Sequence, residues 1–206
     1  FIRDASAKHF GRDPACLCPF QGKTVLDVGC GGGLLSEPMA RQGFEVLGID
    51  ASTKNIAIAS AHAAGLDLPL SYRATSAEAL AGEGLTFDLI LNMEVVEHVA
   101  DLPAFLNACG KLLAPGGMMI VATLNRTLKS LALAKIAAEY VLRWLPPGTH
   151  DWNRFIRPEE LTRYLEDAGL SVDHLQGVEF DPLRWQWRFS SNTDVNYLAV
   201  AKPKPD

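Results

Sequence analysis

Short apolar runs alternate with stretches of helical periodicity through the first two thirds of this chain. Residues 24–28 (Thr-Val-Leu-Asp-Val) predict a buried strand closed by glycines, and residues 34–42 a helix that tolerates Pro38 only in its first turn. Phe44 to Ile49 predicts a second strand, followed by an Ala-rich helix to about Ala64 that Ser52 or Thr53 can cap. Leu68 to Arg73 and Phe87 to Asn92 predict strands three and four. A helix from about Leu102 to Leu113, a turn at Pro115-Gly116-Gly117 and a fifth strand over Met118 to Thr123 complete the alternation. Strands and helices in this order imply parallel β-α-β units with right-handed crossovers, hence an α/β, Rossmann-like doubly wound sheet with helices on both faces.

The pattern then changes. Residues 128–145 are a long apolar helical stretch, Arg157 to Ala168 predicts another helix, and Leu170 to Phe180 and Val195 to Ala201 predict strands. No convincing helix separates those two, so they read as a hairpin at the sheet edge with the last strand antiparallel. No repeat or linker divides residues 1–206, which are expected to form one domain with an apolar helical insertion at about 126–150.

Composition adds mainly exclusions. A net charge of -5 argues against a general phosphate-backbone binder, so no nucleic acid partner is expected. Cys16, Cys18, Cys30 and Cys109 lack zinc-site spacing and are too few for a disulfide framework, which leaves free thiols, expected to be buried or semi-buried.

The chemistry begins after the first strand. Asp27-Val-Gly-Cys-Gly-Gly-Gly33 turns tightly, and in an open parallel sheet ligands sit beyond the carboxyl ends of the strands, where this turn lies. Asp50, at the end of the second strand, can accept hydrogen bonds from both ribose hydroxyls of an adenosine. A nicotinamide fingerprint would need a third glycine at position 34 or 36, and those residues are Leu34 and Ser36. The D-x-G-x-G-x-G pattern resembles instead the first motif of the seven-strand S-adenosylmethionine methyltransferases. That ligand has no phosphate and carries an ammonium and a sulfonium, which Asp27 suits electrostatically. Gly29, Gly31, Asp50 and Met93, which stands where the fourth strand leaves the sheet, are the candidate cofactor residues.

Glu94, Glu97 and His98 follow at i, i+3 and i+4 and share one face if the segment is helical. Two carboxylates and an imidazole can bind a divalent ion or act as a general base; a solvated helix start with acids near its N-terminal dipole explains the same spacing.

Leu26-Asp-Val-Gly-Cys-Gly-Gly-Gly33, Met93-Glu-Val-Val-Glu-His98, Thr123-Leu-Asn-Arg-Thr127, Gly148-Thr-His-Asp-Trp152 and Asp194-Val-Asn-Tyr197 together resemble the ubiquinone biosynthesis O-methyltransferases, from about Lys23 to the C-terminus. The resemblance implies S-adenosylmethionine-dependent methylation of a phenolic hydroxyl on polyprenylated catechol or quinol intermediates, with cofactor contacts at Gly29, Asp50 and Met93. It implies a divalent metal, magnesium, at Glu94, Glu97 and His98. It further implies association with other ubiquinone biosynthesis proteins and a cytoplasmic place beside the inner membrane, or the mitochondrial matrix side in a eukaryote. The family carries an additional N-terminal segment with a cofactor-contacting Arg, which this chain is expected to lack. The alternative activity is C- or N-methylation of another small molecule or lipid on the same fold.

Within 128–145, Lys135, Glu139 and Arg143 form one charged stripe on an otherwise apolar helix. A transmembrane span is disfavoured by its four charges; core packing and peripheral membrane contact both remain open. His150 in the following loop and His98 are the candidate catalytic bases. Trp185 and Trp187 alternate along a possible strand, to line an aromatic pocket or simply to pack. His9, His62 and His174 have no cluster around them.

Overall fold

The computed structural model describes residues 1–131, 152–181 and 184–204. In chain order its elements are α1 (Ile2–Phe10), β1 (Thr24–Val28), α2 (Ser36–Arg41), β2 (Glu45–Asp50), α3 (Thr53–Ala63), β3 (Leu70–Ala74), α4 (Ala77–Ala81) and β4 (Phe87–Met93). There follow α5 (Leu102–Leu112), β5 (Leu113–Leu124), α6 (Leu128–Ser130), a 3-10 turn at Trp152–Arg154, α7 (Pro158–Asp167), β6 (Leu170–Asp181), β7 (Gln186–Ser190) and β8 (Asn196–Pro203). Local chemistry sets several boundaries. Ser52 caps α3 by accepting from the Asn55 amide at 3.3 Å, and Asp101 caps α5 by accepting from the Ala104 amide at 3.0 Å. α1, which the hydrophobic pattern did not signal, ends at Gly11 in the left-handed conformation.

The strands form one sheet in the order β3-β2-β1-β4-β5-β8-β6-β7. β1 to β5 are parallel, and β8 runs antiparallel between β5 and β6. Two expectations need correction. The sheet has eight strands, not seven, because Gln186–Ser190 pairs with β6 as an extra edge strand. The final pair is not a hairpin hung on the edge, since β8 reaches inward to pair with β5 and leaves β6 outside it. The predicted turn at Pro115–Gly117 lies within β5, where the register with β4 shifts between Phe87 and Leu89.

Side chains alternate across the strands and feed two cores, one on each face. On one face Leu26, Ile90, Val121 and Tyr197 pack with Leu80 of α4, Phe105 and Leu112 of α5, and Leu161 and Leu165 of α7. On the other, Val25, Leu91, Ile120 and Leu198 meet Ala7 of α1, Met39 and Ala40 of α2, and the stacked rings of Phe20 and Phe44, 4.3 Å apart. Among the described residues no helix is long and apolar enough to cross a membrane. The predicted insertion helix lies, beyond its first residues, outside the described residues, as does His150. The thiols divide evenly: Cys30 and Cys109 are buried, whereas Cys16 and Cys18 are exposed, contrary to the expectation that they would be sheltered.

Candidate active site

The carboxyl ends of β1, β2 and β4 meet around the glycine turn. Gly29, Gly31 and Gly33 all have positive φ (68°, 54° and 82°), a region open mainly to glycine. Space is equally restrictive: a Cβ on Gly29 would meet the Val95 side chain at 2.5 Å, and one on Gly33 the Tyr72 hydroxyl at 2.1 Å. The turn is therefore clamped between the segment after β4 and the ring presented by β3.

Asp50 closes the turn from the side. Its Oδ2 accepts from the Gly31 amide at 3.1 Å and the Asn55 side-chain amide at 3.2 Å, and its Oδ1 from the Ser52 amide at 2.7 Å. A carboxylate offers about four acceptor positions, so the three donors leave room for a hydroxyl. Asp27 lies beneath, only 3% exposed, accepting from the Ser36 hydroxyl at 2.5 Å. Burial raises its pKa to about 6 against the opposing effect of that hydrogen bond. It thus ties the first turn of α2 to β1. Burial, aided by Asp27 and Asp50, also pushes the Cys30 thiol up to about 12, so it stays protonated.

Beyond β4 the chain does not continue as a helix. Glu94 takes φ 57°, a strained value for a non-glycine residue, while its amide donates to the Ala122 carbonyl at 2.9 Å. The segment then forms a turn in which the His98 amide donates to the Val95 carbonyl at 2.8 Å. The shared helical face predicted for Glu94, Glu97 and His98 is corrected accordingly. The bend still brings the two glutamates together: Glu94 faces an open cavity, and Glu97, 3% exposed, accepts through Oε2 from the Thr123 hydroxyl at 2.8 Å. Burial and the neighbouring Glu97 carboxylate raise the Glu94 pKa. Glu94 itself is exposed at the rim of that cavity. Glu97 Oε1 is buried with no partner among the described residues. His98 is exposed on the same turn, and no three His, Cys, Asp or Glu side chains among the described residues are gathered as a metal set. Two adjacent carboxylates, one with an unpaired buried oxygen, nonetheless suit a hard cation that takes one or two carboxylates and fills its remaining positions with water or substrate oxygens.

Met93 is half-buried at the strand exit and lines that cavity with Glu94. Sequence reasoning missed Thr123 as the partner of Glu97, Ser36 as the partner of Asp27, and Asn196, whose buried Oδ1 has no partner among the described residues. Thr123 and Asn196 lay inside motifs already noted, but nothing in a linear pattern says what each faces.

The family model described as a methyltransferase domain matches residues 8–175. The ubiquinone biosynthesis O-methyltransferase of Sinorhizobium medicae (strain WSM419) is 57% identical over 202 residues, covering 98% of this chain and 82% of the relative. The enzyme of the same name from Caulobacter vibrioides (strain ATCC 19089 / CIP 103742 / CB 15) is 58% identical over 199 residues, covering 96% and 79%. The chain belongs to this family of methyltransferases. The fold has distant likenesses as well. Magnesium protoporphyrin IX methyltransferase from Synechocystis PCC 6803, with S-adenosylhomocysteine bound, superposes with a TM-score of 0.66 at 22% identity, covering 97% of this chain and 81% of that one. The PH0226 protein from Pyrococcus horikoshii OT3 gives 0.69 at 18%, covering 98% and 88%. As a member of this family the chain is an S-adenosylmethionine-dependent methyltransferase, and the glycine turn with Asp50 is where its fold presents backbone amides and a carboxylate together.

Proposed function

We propose that the chain transfers a methyl group from S-adenosylmethionine to a phenolic oxygen of a polyprenylated catechol or quinol in ubiquinone biosynthesis. The observation that carries the acceptor chemistry is the Glu94–Glu97 carboxylate pair at the exit of β4, which flanks Val95, the residue packed against Gly29. The turn and Asp50 orient the nucleoside, Met93 covers its base, and the strained bend at Glu94 presents both carboxylates to the ring oxygens. Glu94 and Glu97, with His98 exposed on the same turn, would hold magnesium, which when bound lowers the pKa of a hydroxyl it contacts. Thr123 fixes Glu97 through its hydroxyl, leaving Oε1 free to serve as the ligand. The phenolic proton passes to solvent water, the new O–CH3 bond forms as the S–CH3 bond breaks, and S-adenosylhomocysteine remains. Without a metal, proton removal would fall to His98 or His150.

Labelled-cofactor assays on a short-tailed demethylubiquinol analogue, with and without chelator, test this reading. Methyl transfer that chelator suppresses is expected, with Glu97→Gln lowering kcat about a hundredfold while S-adenosylhomocysteine affinity by calorimetry changes little. Transfer only to carbon or nitrogen acceptors would reject the phenolic reading. Equal rates with chelator and with Glu97→Gln would reject the metal.

A further inference from the structure

The cavity that begins at Met93 and Glu94 does not stop there. It has a volume of about 520 Å³ and continues over the sheet, beneath α1 and α2, to Val178 of β6 and to Trp187 and Phe189 of β7. Register explains why these side chains share one face. Asn196 of β8 stands opposite Leu124 of β5 and opposite Val178 of β6, and Val178 in turn opposes Phe189 of β7. Directly opposed residues point to the same side of a sheet, so Asn196, Val178 and Phe189 make a straight cross-strand row. At the usual strand spacing this row runs roughly 10 Å, and the path from β4 to β7 roughly 19 Å, the length of several isoprene units.

The row has a chemical direction. At its inner end the Asn196 Oδ1 is a buried acceptor with no partner among the described residues, near the carboxyl ends of β4 and β5, where Glu94 stands. Outward it becomes entirely apolar. Phe189 packs on Phe1 with ring centroids 5.4 Å apart, and Trp187 on Phe180 at 5.3 Å, yet Phe189 remains 57% and Trp187 61% exposed. Large aromatics left this open, rimming a cavity continuous with a catalytic site, mark a binding surface more than a packing one.

We infer that this row is the acceptor track: Asn196 accepts a hydrogen bond from a ring hydroxyl, and Val178, Phe189 and Trp187 carry a hydrocarbon chain attached to that ring. The inference rests on the phenolic reading above and adds which residues discriminate a tailed acceptor from an untailed one. The edge hairpin β6–β7, whose second strand is the addition to the expected seven, is thereby the specificity element of the enzyme.

The test compares kcat/KM for a farnesylated catechol with that for the same catechol lacking its tail. In Trp187→Ser/Phe189→Ser the tailed-to-untailed ratio is expected to fall at least tenfold. Trp187→Leu/Phe189→Leu, which keeps apolar surface, should restore most of it. Asn196→Ala should lower kcat/KM about tenfold for both acceptors and leave their ratio in place. Thermal melting of each variant confirms folding, which edge-strand substitutions at exposed positions should preserve. A ratio unmoved by the serine variant overturns the track, including the case in which that variant loses only affinity for lipid vesicles. So does a wild-type enzyme indifferent to the tail, although methylation of the untailed catechol would then still support the phenolic reading. If wild-type enzyme methylates neither, that reading fails and the track fails with it.

Discussion

Around the glycine turn both carboxylates have internal partners, although the Tyr72 hydroxyl beside Gly33 is buried with none among the described residues: Asp27 has Ser36, and Asp50 has two backbone amides and Asn55. Across the exit of β4 and the face of β5, β8, β6 and β7 the opposite holds. There Glu97 Oε1 and Asn196 Oδ1 have no partner among the described residues, Glu94 is strained, and two aromatics stand open. A buried acceptor without a donor costs about 1–3 kcal/mol, and the second region holds two such acceptors, Glu97 Oε1 and Asn196 Oδ1, whereas the carboxylates at the turn are paired. The half proposed to hold the cofactor is preorganised by its own backbone. The half proposed for the acceptor is left for a ligand to complete.

The sharpest way to break this contrast is Gly33→Ala, which forces a Cβ to 2.1 Å from the Tyr72 hydroxyl at a φ of 82°. S-adenosylhomocysteine affinity by calorimetry should fall more than a hundredfold. The double variant with Tyr72→Phe should recover part of the loss, because the worst contact goes while a ring-carbon contact at 2.8 Å and backbone strain of about 1–2 kcal/mol remain. Full affinity in the single variant would show that the turn is softer than the acceptor side.

Asp27 offers a second test, through pH. Its folded pKa of about 6 lies above the ordinary 3.8, so both states are protonated below pH 3.8. As pH rises toward 6 the unfolded chain ionises first, and folded stability is lost across that window. The gap corresponds to roughly 3 kcal/mol, fully lost above pH 6. Urea denaturation at pH 4 and pH 7 should therefore show wild type losing about that much relative to Asp27→Asn. Parallel behaviour of the two proteins would place Asp27 in a wetter site than its burial implies.

The smallest effect is expected at Thr123→Val, which removes the one donor recorded for Glu97. A loss of about tenfold in kcat, with S-adenosylhomocysteine affinity held within twofold, would confine the damage to the acceptor half. A matching loss of cofactor affinity would mean that the two regions are not independent.

What could be read in advance follows the same division. Strand, glycine turn and terminal Asp50 lie within 27 residues, from Thr24 to Asp50, and a turn that needs positive φ writes its requirement directly as glycine. The glutamates were found as a motif but given the wrong local geometry, since i, i+3 spacing suits a turn that closes on itself as well as it suits a helix. β7 was seen only as alternating Trp185 and Trp187; an edge strand has one partner and half its ladder exposed, so its pattern is weak.

The sequence by itself determined the α/β alternation, the glycine turn and the family, because each depends on residues near one another in the chain. Tertiary structure alone decided that Thr123 holds Glu97, that β8 inserts between β5 and β6, and that Asn196, Val178 and Phe189 fall in one row. Those relations are made by strand register between distant segments, and register is set by which faces can be buried together once the whole sheet has assembled.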